Sequence, residues 1–207
     1  MKIIDISMAI EPTMTVYKNK EAKKPKFHQS AFFDANGVYE TDITLNLHSG
    51  THIDFPLHTI PRGKNSNHEV LDTFIGDAKV FDLSHVADAI CLSDIKDFSI
   101  EQGDFVLFKT RNSQIEEFDF NFVYLALDAA TYLSDIGIRG VGIDTLGIER
   151  NQPNHPTHDV LLLGDVIILE GLRLRHVQEG TYELICLPLK ISNVEASLTR
   201  AVLVQRT

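Results

Sequence analysis

The chain has 207 residues, 43% of them hydrophobic and 23% charged, with 19 basic and 29 acidic side chains and a formal net charge of −10. That composition supports a packed globular core and argues against disorder, while the acidic balance argues against coating DNA or RNA, which draws on surplus lysine and arginine. No apolar run approaches the roughly 18 residues of a membrane helix, so neither nucleic acid nor membrane is an expected partner.

One domain spanning 1–207 is expected at this length. The opening MKIIDISMAI is too short and too acidic for a secretory signal. Only Cys91 and Cys186 are present, without metal-type spacing. A disulfide framework is therefore not expected, and a reducing cytoplasm fits.

In chain order, Ile3, Ile4 and Ile6 open a strand. Glu11 to Phe27 reads as a long loop, and such loops often carry function. Thr41 to His48 alternates, with Ile43, Leu45 and Leu47 on one face and Thr44, Asn46 and His48 on the other. Arg62 to Val70 is a second long loop. Ala78 to Leu83 and Asp104 to Lys109 read as strands, the latter after a turn at Gly103. Phe122 to Asp135 reads as a helix, with Leu125, Ala129, Tyr132, Leu133 and Ile136 on one stripe and Gly137 as its stop. Arg139 to Asp144 is a buried strand, and His158 to Leu163 makes one or two helical turns ended by Gly164-Asp165. Val166 to Glu170, Tyr182 to Leu189 and Ala201 to Val204 complete the strands. The fold class is α/β around a mostly β core.

Three of the nine histidines fall between residues 48 and 58, in HSGTHIDFPLH. Even scattering would place about 0.5 there. His52 and Asp54 share a side if the chain is extended, and His48 and His52 share one if it makes a helical turn. Gly50 permits a bend and Pro56 prevents a long helix. Both options converge three polar side chains, and imidazole with carboxylate is a donor set that suits zinc, manganese, iron or cobalt. With no thiolate nearby, a structural cysteine-type zinc site is excluded. A bound divalent ion lowers the pKa of its water to about 7, which suits hydrolysis at neutral pH.

Glu170 lies in the apolar run VIILEGL, where an acid needs a partner or a shifted pKa unless it ends the strand in solvent. His158 precedes it in HPTHDVLLLG. His155 is the rival histidine, although Pro156 makes it look more like loop. The stretch Lys18 to Lys26 carries five lysines. It reads as a solvated loop or, alternatively, as a lid that attracts a carboxylate-bearing substrate.

The run HSGTHIDFPLH resembles the signature of the metal-dependent cyclase-like hydrolases, which include bacterial kynurenine formamidases and isatin hydrolases. The likeness extends from IIDIS through GIDTLGIE and HDVLLLGDVIILEGL to the closing LPLKI and RAVLV. It implies a swivelling β/α/β domain assembled as a homodimer or homotetramer. It also implies one or two divalent ions, zinc or manganese. His48, His52 and Asp54 would hold the first ion, and Asp54, His158 and Glu170 the second. His58 would be the catalytic acid/base. The implied reaction is hydrolysis of an amide-type bond in a small molecule, possible substrates including aryl formamides such as N-formylkynurenine, with no covalent enzyme intermediate.

One departure concerns the N-terminal loop. Kynurenine formamidases tend to carry an aromatic residue followed by a Pro-Gly-Asp-like turn, whereas Val16-Tyr17 is followed here by Lys18-Asn19-Lys20. Two other readings use the same residues: a polyketide-type cyclase or dehydratase, and a non-catalytic metal-binding module. A spare base at His58 speaks against the last.

Overall fold

The computed structural model describes residues 1–206. Its strands are β1 (Lys2–Asp5), β2 (Lys26–Ala31), β3 (Glu40–Thr44), β4 (His52–Asp54), β5 (Ile75–Asp82), β6 (Ala89–Ile90), β7 (Phe105–Lys109), β8 (Tyr124–Leu125), β9 (Gly140–Ile143), β10 (Ile167–Glu170), β11 (Gly180–Ile185), β12 (Ala196–Leu198) and β13 (Val202–Gln205). The helices are α1 (Phe33–Asn36), α2 (Leu92–Ile95), α3 (Leu127–Ile136) and α4 (Pro156–Leu163). None is long and apolar enough to cross a membrane.

Nine strands form one sheet in the order β1-β13-β11-β5-β7-β9-β10-β4-β12. The centre, β5-β7-β9-β10, is parallel. Parallel neighbours need crossovers, and α3 and α4 lie on the last two of them. Both faces of β7, β9 and β10 are buried, which is why these strands read as largely apolar runs. In β7, Val106 and Phe108 join a cluster with Leu133 of α3 and Leu161 of α4, while Phe105 and Leu107 join the opposite cluster. That second cluster draws on β4, β5, β7, β10, β11 and β13 and on no α-helix. The sheet curls around it, and α3 and α4 cover the other face. This is the α/β class with a mostly β core that the sequence indicates.

Gly142 shows how tightly β9 is packed. A Cβ there would lie 2.6 Å from Leu107 Cδ2 and 2.8 Å from Leu172 Cδ1.

Several boundaries differ from the sequence reading. The strand expected over Thr41 to His48 ends at Thr44, and residues 47–48 are in a turn. It belongs to a separate ribbon with β2 rather than to the main sheet. Both ribbon faces are largely exposed, so its alternation does not mark a core face. The helix expected from Phe122 starts at Leu127, because Tyr124-Leu125 pairs with Ala89-Ile90 instead. Gly137 ends it as expected, with φ at +76°. The strand expected over Tyr182 to Leu189 runs over β11 and stops at Ile185. The first long loop ends at Lys26, where β2 begins. Cys91 and Cys186 are both free thiols.

Candidate active site

The cluster that the sequence leaves in two possible conformations is extended at its centre. His52, Ile53 and Asp54 form β4, so His52 and Asp54 share one face. Ile53 points the other way, into the sheet-enclosed core. β4 pairs with β10, placing His52 opposite Glu170 and Asp54 opposite Ile168. The strand register therefore brings together an acid and a histidine that are distant in sequence.

The preceding turn is pinned from several sides. Met8 N–H donates to Thr51 Oγ1 at 2.8 Å, and Thr51 Oγ1 donates to the Gly171 carbonyl at 2.7 Å. Gly50 sits at φ +74°, a conformation glycine adopts without strain. Its carbonyl lies 3.0 Å from His52 Nδ1. A carbonyl only accepts, so Nδ1 carries a proton, and Nε2 is the nitrogen whose lone pair a cation in the site would take.

His52 Nε2 lies 3.5 Å from Asp54 Oδ1 and 3.4 Å from Glu170 Oε2. His48 Nδ1 lies 2.9 Å from Asp54 Oδ1, and its Nε2 3.4 Å from Glu195 Oε1. His158 Nε2 is 3.6 Å from both Asp54 Oδ2 and Glu170 Oε1. The His58 ring centre lies 4.1 Å from that of His48, tilted by 37°, and 5.5 Å from that of His158, edge to face. All six residues singled out in the sequence thus converge on one place. Asp54 belongs to two potential ligand sets, one with His48 and His58 and one with His52 and Glu170.

Electrostatics follow from this crowding. Burial raises the Asp54 and Glu170 pKa values, but the surrounding histidines outweigh it. Asp54 falls well below the usual carboxylate range, and Glu170 falls to about 2. Burial disfavours the imidazolium of His52, yet Glu170 and Asp54 push its pKa up to about 9, so without an ion Nε2 also holds a proton, which a bound cation would displace. Burial lowers the His58 pKa further than nearby Asp54 raises it. His58 is therefore neutral near pH 7, as a general base must be.

The arrangement fits a divalent ion. His52 Nε2 and both Asp54 carboxylate oxygens are buried without a hydrogen-bond partner. Buried polar atoms are normally satisfied, and a cation among them would answer all three. Glu170 keeps one oxygen occupied by the Ile148 N–H at 2.6 Å, which aims the other at His52.

Two nearby acids escape the sequence reading. Glu195 faces His48 from the segment before β12. Glu149 accepts the backbone N–H groups of Thr157 and His158, capping the start of α4, and lies 3.3 Å from His158 Nδ1. It also lies 2.6 Å from Nδ1 of His155, the rival histidine, which is left mostly exposed. The available signal was the acid closing the apolar run LGIE. The site opens into a cavity of about 360 Å³ whose lining includes Tyr17, Lys18, Lys23, His58 and Gln152.

The Cyclase family model matches residues 4–150. The chain is 33% identical to the kynurenine formamidase of Salinibacter ruber, over 98% of this chain and 97% of that protein. It is 36% identical to the kynurenine formamidase of Erythrobacter litoralis, over 98% and 93%. A solved structure described as a predicted metal-dependent hydrolase from Bacillus stearothermophilus superposes with a TM-score of 0.89 at 46% identity, covering 98% and 97% of the two chains. Isatin hydrolase A from Labrenzia aggregata, at 23% identity, shares the fold with a TM-score of 0.87 over 99% and 94%.

Proposed function

We propose that this chain, which belongs to the Cyclase family, is a metal-dependent hydrolase that cleaves the amide bond of a small aryl formamide. The observation that carries the reading is the buried trio of unsatisfied ligand atoms, His52 Nε2 and the two Asp54 oxygens, facing Glu170, His48 and His158. Full-length similarity to kynurenine formamidases supports the substrate class. N-formylkynurenine is the reference compound of that class.

His48, His52, Asp54, His158 and Glu170 would hold one or two ions. Imidazole and carboxylate without thiolate suit zinc or manganese. The ion's contribution, when bound, would be to acidify water and polarise the scissile carbonyl. The chain's own residues supply the remainder. His52 keeps its lone pair on the site because Gly50 holds its other nitrogen. His58, neutral and lining the cavity beside His48, takes a proton from the attacking water. It then returns that proton to the leaving nitrogen. Water oxygen bonds to the formyl carbon, the C–N bond breaks, and formate and an aryl amine leave. The sheet-enclosed core behind Ile53 and Leu169 keeps bulk water off the rear of the site.

The remaining expectations stand as proposals. The chain is one domain, works in the cytoplasm and assembles as a homodimer or homotetramer. Exposed Phe32, Phe33, Val38 and Tyr39 around the β2-β3 ribbon support self-association, which sedimentation would measure.

Elemental analysis of the purified protein, with turnover of N-formylkynurenine and isatin, tests the reading. Metal-dependent release of formate is expected from the first substrate. A cyclase or dehydratase would instead lose water without releasing a new carboxylate.

A further inference from the structure

Of the five lysines between 18 and 26, only Lys18 and Lys23 line the site cavity. Their ammonium groups lie 5.2 and 5.5 Å from the centre of the Tyr17 ring. Lys24 pairs with Glu21 at 3.0 Å, but neither Lys18 nor Lys23 has an ion pair among the described residues. Lys23 is half-buried. Burial pulls its pKa down, as does Lys20, against the opposing influence of Glu170 and Asp54.

The backbone holds these groups in place. Lys18 and Asn19 both adopt positive φ, at 56° and 51°, which is uncommon for residues with a side chain. Ser49 Oγ donates to the Lys23 carbonyl at 2.9 Å, tying the lysine segment to the turn that carries His48. Tyr17 meets Phe118 and Phe122 edge to face, at 5.4 and 6.3 Å. Gly147 lets the Tyr17 ring approach, since a Cβ there would sit 3.3 Å from it.

The cavity's acids are already committed. Glu170 accepts from Ile148 N–H and faces His52 and His158. Glu149 accepts from Thr157 and His158 and faces His155. Acids therefore turn inward toward imidazoles, while two unpaired cations flank an aromatic ring at the outer wall. Such a wall attracts a flat ring that carries negative charge.

We propose that this cavity selects aryl amides bearing a carboxylate without a compensating ammonium, with Lys23 as the principal anion-holding residue and Lys18 as the second. The proposal rests on the amide-hydrolase reading above, and narrows it to anionic over zwitterionic or uncharged substrates. It also separates the lysine segment from a merely solvated loop.

The test compares N-formylanthranilate, formanilide and N-formylkynurenine on metal-loaded enzyme. All three carry the same scissile formamide on an aryl ring but differ in charge. N-formylanthranilate should show the highest kcat/KM. Lys23→Gln should raise KM for N-formylanthranilate about tenfold more than for formanilide, with the loss in KM rather than kcat. Lys23→Arg should restore most of it. Calorimetric binding of N-formylanthranilate to wild type and Lys23→Gln reads the lysine even if no amide is hydrolysed. In that event the hydrolase reading fails while the anion site stands or falls on the binding data. Equal kcat/KM for the three amides in wild type, or equal effects of Lys23→Gln on anionic and uncharged ligands, would overturn the proposal.

Discussion

At His52 one ring nitrogen determines the role of the other. The Gly50 carbonyl 3.0 Å away fixes the proton on Nδ1, leaving Nε2 as a ligand atom between two carboxylates. His58 has no such tether, and its depressed pKa leaves it free to accept a proton. His58→Ala should keep its metal, read by elemental analysis, and lose turnover by roughly 100-fold or more. Because His58 also lies within ligand reach of His48 and Asp54, loss of metal in this variant would make it a ligand instead. Cys186 behaves in the opposite way. It is fully buried, and burial pushes its thiol pKa up to about 12. A native protein should resist thiol reagents at Cys186 at pH 8, and unfolding should expose it; mass spectrometry of the labelled chain would show which cysteine reacted.

Among the elements, β4 and α4 do most to shape the site. The residue types in HSGTHIDFPLH were informative, but the conformation was not. A three-residue strand has too little pattern to declare itself, and its pairing with β10 and β12 makes it extended. Thr41 to His48 misled for a related reason. Alternation signals a core face only where one side is buried, and β3 lies in an exposed ribbon. Glu149 was missed because its role depends on α4 folding back over it. As the acceptor for two backbone N–H groups at the start of α4, it should stabilise the helix by about 1 kcal/mol. Glu149→Ala should lower the melting temperature and also weaken metal binding. Glu149→Gln retains an acceptor oxygen, so it should melt near wild type but bind metal some 10–100-fold more weakly through a looser His158. Calorimetry of melting and metal titration separates the two effects. In β9, Gly142→Ala forces a methyl against Leu107 and Leu172. It should cost about 1–3 kcal/mol in denaturant unfolding.

Across the whole molecule, the curled sheet does what no local motif can. Its order places β10 beside β4, and the crossover through α4 sets His158 over the same carboxylates. The long apolar strands and α3 were legible because they are buried on defined faces. The sheet order was not, because pairing between β1 and β13 or β4 and β12 links distant segments without a sequence mark. The acidic balance of −10 also gains a local meaning, since two of those acids, Asp54 and Glu170, face histidines in a buried site. The most direct test of a metal centre here is the ion content of wild type and Asp54→Asn after loading with zinc or manganese and removal of free ion. One or two ions per wild-type chain, lost in a folded Asp54→Asn variant, is the expected result. A folded wild-type chain that retains no ion, or an Asp54→Asn variant that retains as many as wild type, would contradict it.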